Sequence, residues 1–217
     1  SAESLEAQLK GNLYASDLSA DKSTWHVYTL EETEAPKGYI KETKNVQFIV
    51  NDTSKVIVIS DEDQCTSVDD SGKVIAFKNA PVSVSFQKTD AAGNALSNAK
   101  FTVNGTFADG SSSKNFTSYE LFNAQFIAGN TYTLKETEAP AGYTRMTEPV
   151  SFTVNNDGTL SLSEGTPSNV TLSKDKNGFI ITDTKIDISV AKTDRDTGKT
   201  LKGSSFKVSG KFIDGTA

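Results

Sequence analysis

The chain has 217 residues, 22 Lys and Arg against 28 Asp and Glu, a net charge of -6 and a mean hydropathy of -0.40. No apolar run approaches the roughly eighteen residues that a membrane-spanning helix needs, and the acidic balance excludes a protein that holds nucleic acid or an anionic membrane through clustered Lys and Arg. A single Cys and a single His exclude a disulfide framework, a zinc finger and any centre with two His ligands, and leave Ser-His-Asp chemistry dependent on His26 alone.

In chain order, residues 3–9 have helical spacing, and everything after them is of β type. Runs rich in Val, Ile, Phe, Thr and Tyr at 46–50, 56–59, 74–77, 82–86, 100–103, 131–134, 150–154 and 179–181 alternate with polar residues. Asn156-Asp157-Gly158 and Lys176-Asn177-Gly178 supply residues that tolerate positive φ in tight hairpins. Closely spaced short strands of this kind predict an all-β chain built as a sandwich.

The chain repeats itself. Tyr28 to Tyr39 reads YTLEETEAPKGY and Tyr132 to Tyr143 reads YTLKETEAPAGY, identical at ten of twelve positions and 104 residues apart. The same offset relates the Lys-Thr-Asp of 88–90 to that of 192–194, and VIAFKN ending at Asn79 to GFIITD ending at Asp183. Three separate segments with one spacing define a unit of about 104 residues. Residues 81–184 form one complete unit. Residues 1–80 hold the later part of a unit and lack its opening Lys strand, while residues 185–217 hold only the opening strands of a further one. Neither end shows a signal peptide or sorting motif, so the sequence reads as an excerpt of a longer protein.

Strand parity singles out three polar positions in each unit, because residues two apart share a face. Val84, Phe86 and Lys88 share one face, as do Ile188, Val190 and Lys192. Tyr132, Leu134 and Glu136 align, as do Tyr28, Leu30 and Glu32. Phe179, Ile181 and Asp183 match Ile75, Phe77 and Asn79. Burying such groups without mutual compensation costs several kcal/mol each. A trio compensates itself and creates chemistry: a desolvated amine favours its neutral, nucleophilic form, and a desolvated Glu stays protonated and polarises a neighbouring carbonyl. Attack of Lys on the Asp or Asn side-chain carbonyl then gives an amide, with Glu shuttling protons. The alternative is that the three residues close their strands at the rim as a solvated ion pair.

These motifs resemble the B-type repeats of collagen-binding adhesins and pilins of Gram-positive bacteria, the CnaB-like or prealbumin-like domains. The resemblance is carried by the Lys-Thr-Asp opening strand, the Glu-Thr-Glu-Ala-Pro-x-Gly-Tyr box and the closing Asn79 or Asp183. It implies tandem Ig-like, prealbumin-like β-sandwich repeats and a self-formed isopeptide bond. In the complete unit that bond would join Lys88 to Asp183 with Glu136 as its catalyst; Lys192, Asn79 and Glu32 hold the matching positions in the incomplete ones. It further implies a rigid stalk on the wall-anchored surface of a Gram-positive cell, neither a turnover enzyme nor a cofactor protein. The implied partners are neighbouring repeats. Apart from the resemblance, the two end pieces are complementary halves of one unit: either Lys192 of one copy meets Glu32 and Asn79 of another, head to tail, or the sequence is an array excerpt cut at arbitrary points or nicked between the halves. The competing function is an adhesin module that binds a host or matrix protein, which calls for an exposed apolar or aromatic patch.

Two further features carry weaker signals. Cys65 follows Gln64 in the acidic loop 61–70, where a plain thiol and a solvated loop are expected in preference to a thioester or a calcium site. Trp25 and His26 are expected as a packed aromatic and a surface imidazole.

Overall fold

A computed structural model describes residues 9–215; the helical spacing expected over 3–9 falls, except for Leu9, outside them. Among the described residues there are fourteen strands and one 3-10 turn, Lys22–Thr24. The strands are β1 (Tyr28–Leu30), β2 (Val46–Val50), β3 (Val56–Ser60), β4 (Thr66–Val68), β5 (Ile75–Phe77), β6 (Ser83–Thr89) and β7 (Lys100–Asn104). They continue with β8 (Ser113–Thr117), β9 (Leu121–Asn123), β10 (Thr131–Glu138), β11 (Val150–Val154), β12 (Leu160–Leu162), β13 (Val170–Leu172) and β14 (Gly178–Thr182).

The second half of the chain is a two-sheet sandwich. One sheet has the order β12-β11-β10-β7-β8 and the other β13-β14-β6-β9. Alternation decides which side chains fill the space between them: Val84 and Phe86 of β6, Phe101 and Val103 of β7, Tyr132 and Leu134 of β10, Val150, Phe152 and Val154 of β11, and Phe179 and Ile181 of β14 are all buried. Phe86 stacks on Phe179 within its own sheet and on Phe101 of the other, with ring centroids 5.3 and 5.6 Å apart. Each large apolar side chain removed from water in this way contributes about 1.5–3 kcal/mol.

The first and last strands of this sandwich lie side by side. β6 and β14 are parallel, with Lys88 paired to Ile181 and Thr89 to Thr182. Residues 81–184 are therefore closed end against end within one sheet, while the other ladders are antiparallel.

Strands β1 to β5 repeat the geometry of β10 to β14 at the 104-residue offset. Tyr28 pairs with Phe48 as Tyr132 pairs with Phe152, and Thr66 with Phe77 as Val170 with Ile181. The agreement reaches single hydrogen bonds: Lys78 N–H to Cys65 O matches Thr182 N–H to Asn169 O, and Ile40 N–H to Ala80 O matches Thr144 N–H to Thr184 O. Counterparts of β6 to β9 are absent beside β1 to β5 among the described residues, which form a three-stranded sheet β1-β2-β3 and the pair β4-β5.

Turn chemistry differs from expectation in one place. Gly158 takes the positive φ of its hairpin, but in Lys176-Asn177-Gly178 the left-handed residue is Lys176, φ 54°, and Gly178 opens β14. Gly178 is needed there for space, because a Cβ would lie 2.2 Å from Ser85 Oγ on the neighbouring strand. In the two Pro-x-Gly-Tyr turns the Tyr N–H donates to the Pro carbonyl, and Gly38 and Gly142 supply the positive φ of a type II geometry.

The acidic loop is organised by its own carboxylates. Asp61 accepts from the N–H groups of Cys65 and Thr66 and from the Thr66 hydroxyl, which, led by that hydroxyl, hold its carboxyl down at about 2. Cys65 is buried and its thiol is pushed up to about 11, first by burial and then by Asp61. Trp25 is half-buried and donates through Nε1 to Asp17 O, while exposed His26 lies against the Tyr14 ring.

Candidate functional site

The central sandwich brings three ionisable residues into its apolar interior. Lys88 and Glu136 are wholly buried and Asp183 is 2 % exposed. β6 supplies Lys88, whose inward parity follows from Val84 and Phe86. Asp183 follows β14 on the face of Phe179 and Ile181, its N–H donating to Thr89 O. Glu136 comes from the facing sheet, opposite Phe101 on β7, with a bulge immediately after it. The site therefore spans the gap between the two sheets.

Lys88 Nζ lies 2.5 Å from Asp183 Oδ1 and 3.0 Å from both oxygens of Glu136, the hydrogen bond running to Oε2. Oε2 also accepts from Met146 N–H at 2.7 Å. Glu136 Oε1 and Asp183 Oδ2 are buried and accept no hydrogen bond. A full negative charge on both acids would leave those oxygens unsolvated, and burial raises both carboxyls above the usual carboxylate range. One proton held between the two carboxyls removes one of the two unsolvated charges.

Two residues that hold this site are not singled out by the sequence. Met146 acts through its backbone N–H. Tyr119, at φ 67°, donates its N–H to Phe86 O and its hydroxyl to Lys88 O, and so clamps the end of β6. Left-handed backbone at an aromatic residue is not written in local composition.

The N-terminal half assembles two of its three predicted residues. Asn79 Nδ2 donates to Glu32 Oε2 at 2.7 Å and to Ile40 O at 3.0 Å, and Glu42 N–H donates to the same Glu32 oxygen at 2.8 Å. Glu42 stands 104 residues before Met146, so the backbone donor that holds the carboxyl is repeated as well. Lys192 is not brought to them. Parity places it on a core face with Ile188 and Val190, but beyond the isolated bridge of Lys185 to Tyr143 the structure leaves residues 186–192 without strand structure and these three side chains exposed. The reason is physical: an inward face exists only where a second sheet covers it, and no strand is hydrogen-bonded to this segment.

The model of the SpaA prealbumin-like fold domain matches this chain over residues 2–64 and again over 82–166, more than half of its length. The chain belongs to that family. This prealbumin-like chain is similar in structure to a C-terminal fragment of the pilus adhesin SpaC from Lactobacillus rhamnosus GG, with 17 % identity, 76 % of this chain and 79 % of that one covered, and a TM-score of 0.41. It is also similar to the pilus adhesin RrgA from Streptococcus pneumoniae, at 21 % identity over 62 % of this chain and 15 % of that one, TM-score 0.31. The group B streptococcus pilus 2b backbone protein gives 13 % identity over 71 % of this chain and 52 % of that one, TM-score 0.32. No curated protein sequence matches the chain.

Within the prealbumin-like sandwich, an amine and two carboxyl groups sealed from water can exchange protons without separating net charge. They can also react with each other, since nucleophile and carbonyl carbon are already adjacent and bulk water does not compete.

Proposed function

We propose that the chain is a stalk segment of a pilus or adhesin on the wall-anchored surface of a Gram-positive bacterium, stiffened by an amide bond that its central unit forms between Lys88 and Asp183. The observation that carries this reading is the contact of Lys88 Nζ with Asp183 at 2.5 Å and Glu136 at 3.0 Å in a closed apolar pocket.

The chemistry follows from the proton count. Passing one ammonium proton to the ionised carboxyl gives a neutral amine and two carboxylic acids with no change in total charge, so the low dielectric does not oppose it. The amine lone pair attacks the Asp183 carboxyl carbon and a C–N bond forms. Glu136 gives its proton to the departing hydroxyl and takes one from the nitrogen; the C–O bond breaks and water leaves. Preorganisation of this kind is worth on the order of 7–11 kcal/mol of barrier.

The location of the bond gives it mechanical meaning. Lys88 and Asp183 are 95 residues apart in sequence but sit at the ends of adjacent parallel strands. Tension entering at residue 81 and leaving at 184 would pass through one covalent link, and residues 89–182 would carry none of it. Neighbouring units of the same kind are the partners this role requires.

The intact mass of the denatured protein tests it. The expected mass is that of the sequence less one water, returning to the full value in Lys88→Ala and in Glu136→Ala. A full, unaltered mass in the parent chain overturns the reading.

A further inference from the structure

We infer that residues 36–40, where the first Glu-Thr-Glu-Ala-Pro-x-Gly-Tyr box ends, dock on the start of the central unit and lock the joint between the two, so that the N-terminal half and the central unit turn as one body. The partner this turn fits is the following unit of the same chain. The joint goes beyond the amide bond proposed above and does not depend on it.

The connection itself is short. Asn79 closes the N-terminal half, Val82 is wholly buried in the central core, and only Ala80 and Pro81 lie between them. Linked domains move relative to one another by default, and two residues suffice for a swivel when their backbone is free. Here it is not. Ile40 N–H donates to Ala80 O at 2.8 Å, Tyr39 pairs with Pro81 in an antiparallel bridge, and Val82 N–H donates to Gly38 O at 2.8 Å. Val82 O accepts in turn from Ala124 N–H at 2.9 Å, just past β9. The ring of Pro81 fixes its φ. Turning the chain anywhere from Ala80 to Val82 therefore breaks a hydrogen bond or strains a ring.

Side chains fit the same contact. Gly38 is buried at φ 90°, and a Cβ there would run into Ala124 O of the central unit. Ile40 packs against the central core, its Cδ1 seated at Gly158 of the β11–β12 hairpin, where a Cβ would lie 2.6 Å from it. Two glycines, one on each side, thus permit the close approach. Ile40 is tied to its own half as well, because its carbonyl accepts from Asn79 Nδ2 at 3.0 Å. One residue holds the first half by its backbone and the second by its side chain.

The backbone pattern recurs at the 104-residue offset. Thr144 N–H donates to Thr184 O, Tyr143 pairs with Lys185, and Ile186 N–H donates to Gly142 O. These bonds are a property of the repeat. Thr144 and Lys185 replace Ile40 and Pro81, so the apolar plug and the fixed φ belong to the first joint. The two ends of the box have separate uses: Glu32 bonds within its own half, and Gly38 to Ile40 hold the next unit. A stalk with such a joint resists bending as well as extension.

Residual dipolar couplings of the parent chain in a dilute aligning medium test this. The amides of β1 to β5 and those of β6 to β14 are expected to fit one alignment tensor. Gly38→Val has no room beside Ala124, and Ile40→Asp puts a charge on the apolar contact while keeping both backbone bonds of that residue. Each is expected to lose the common tensor, with weaker alignment of the N-terminal half. Amide shifts of β2 and β3 report whether that half is still folded, and where Gly38→Val disturbs them Ile40→Asp decides. Two tensors in the parent chain, or a common tensor that survives Ile40→Asp, overturn the inference. Intact mass of the same samples reads the Lys88–Asp183 bond, and a full mass beside a common tensor sinks that bond alone.

Discussion

Lys88 and Lys192 occupy the same tripeptide, Lys-Thr-Asp, at the end of the same apolar alternation, and end in opposite environments. Parity states which face a residue takes; whether the face is covered depends on strands far away in the chain. The three groups at Lys88 meet only because sequence separations of 48 and 95 residues are closed by the fold. Their proton sharing has a testable consequence. Burial, the leading cause at each, raises the carboxyls of Glu136 and Asp183 above the usual carboxylate range, so a proton shared between them is held to higher pH than on free carboxyls. As pH rises through those raised values the trio loses the proton that lets hydroxide depart as water, so bond formation is expected to slow toward alkaline pH. Chains recovered unfolded in urea, refolded across a pH series and sampled by intact mass would show this; a rate that climbs steadily with pH would mean that amine deprotonation alone is limiting. Cys65, in contrast, is a buried thiol tied to Asp61, and its raised proton affinity makes it a poor nucleophile.

At the scale of elements, the strands with strong β-branched or aromatic alternation are legible in sequence: β2, β6, β7, β10, β11 and β14 lie where the pattern predicts, within a few residues. β4, β8, β9, β12 and β13 are not. They are three to five residues long and mostly polar on one face, and a strand that short is defined by the ladder it joins. Edges distinguish the two halves of the chain more than composition does. Because β1 and β5 each lack a neighbour that β10 and β14 possess, their amides are expected to exchange with solvent at least roughly tenfold faster, in line with the smaller apolar cover over them. Hydrogen exchange on the protein measures this; equal protection of the two sets would show that the open edges of β1 and β5 cost the N-terminal half no local stability.

For the whole molecule, the decisive feature is that the first and last strands of the central unit are adjacent and parallel. A covalent link there closes a loop of about a hundred residues, worth about 4–5 kcal/mol on a chain-entropy basis. Glu136→Gln, which keeps the side chain's size and can still accept from Met146 N–H, is expected to leave the bond unformed and to lower the unfolding midpoint of the central unit by on the order of 20 °C. A calorimetric scan showing no change, with the water still lost, would remove Glu136 from the chemistry. By itself the sequence determined the period of 104 residues, the β class, and the parity of Lys88, Glu136 and Asp183, because all of these are written in local alternation and in self-similarity. Only the tertiary structure decided that Lys88 is sealed between two sheets while Lys192 stands in solvent, that Glu32 and Asn79 hold one another, and that the Met146 N–H and the Tyr119 N–H and hydroxyl steady the site. Burial and hydrogen-bond partners belong to pairs of distant segments, and no stretch of sequence contains both members of such a pair.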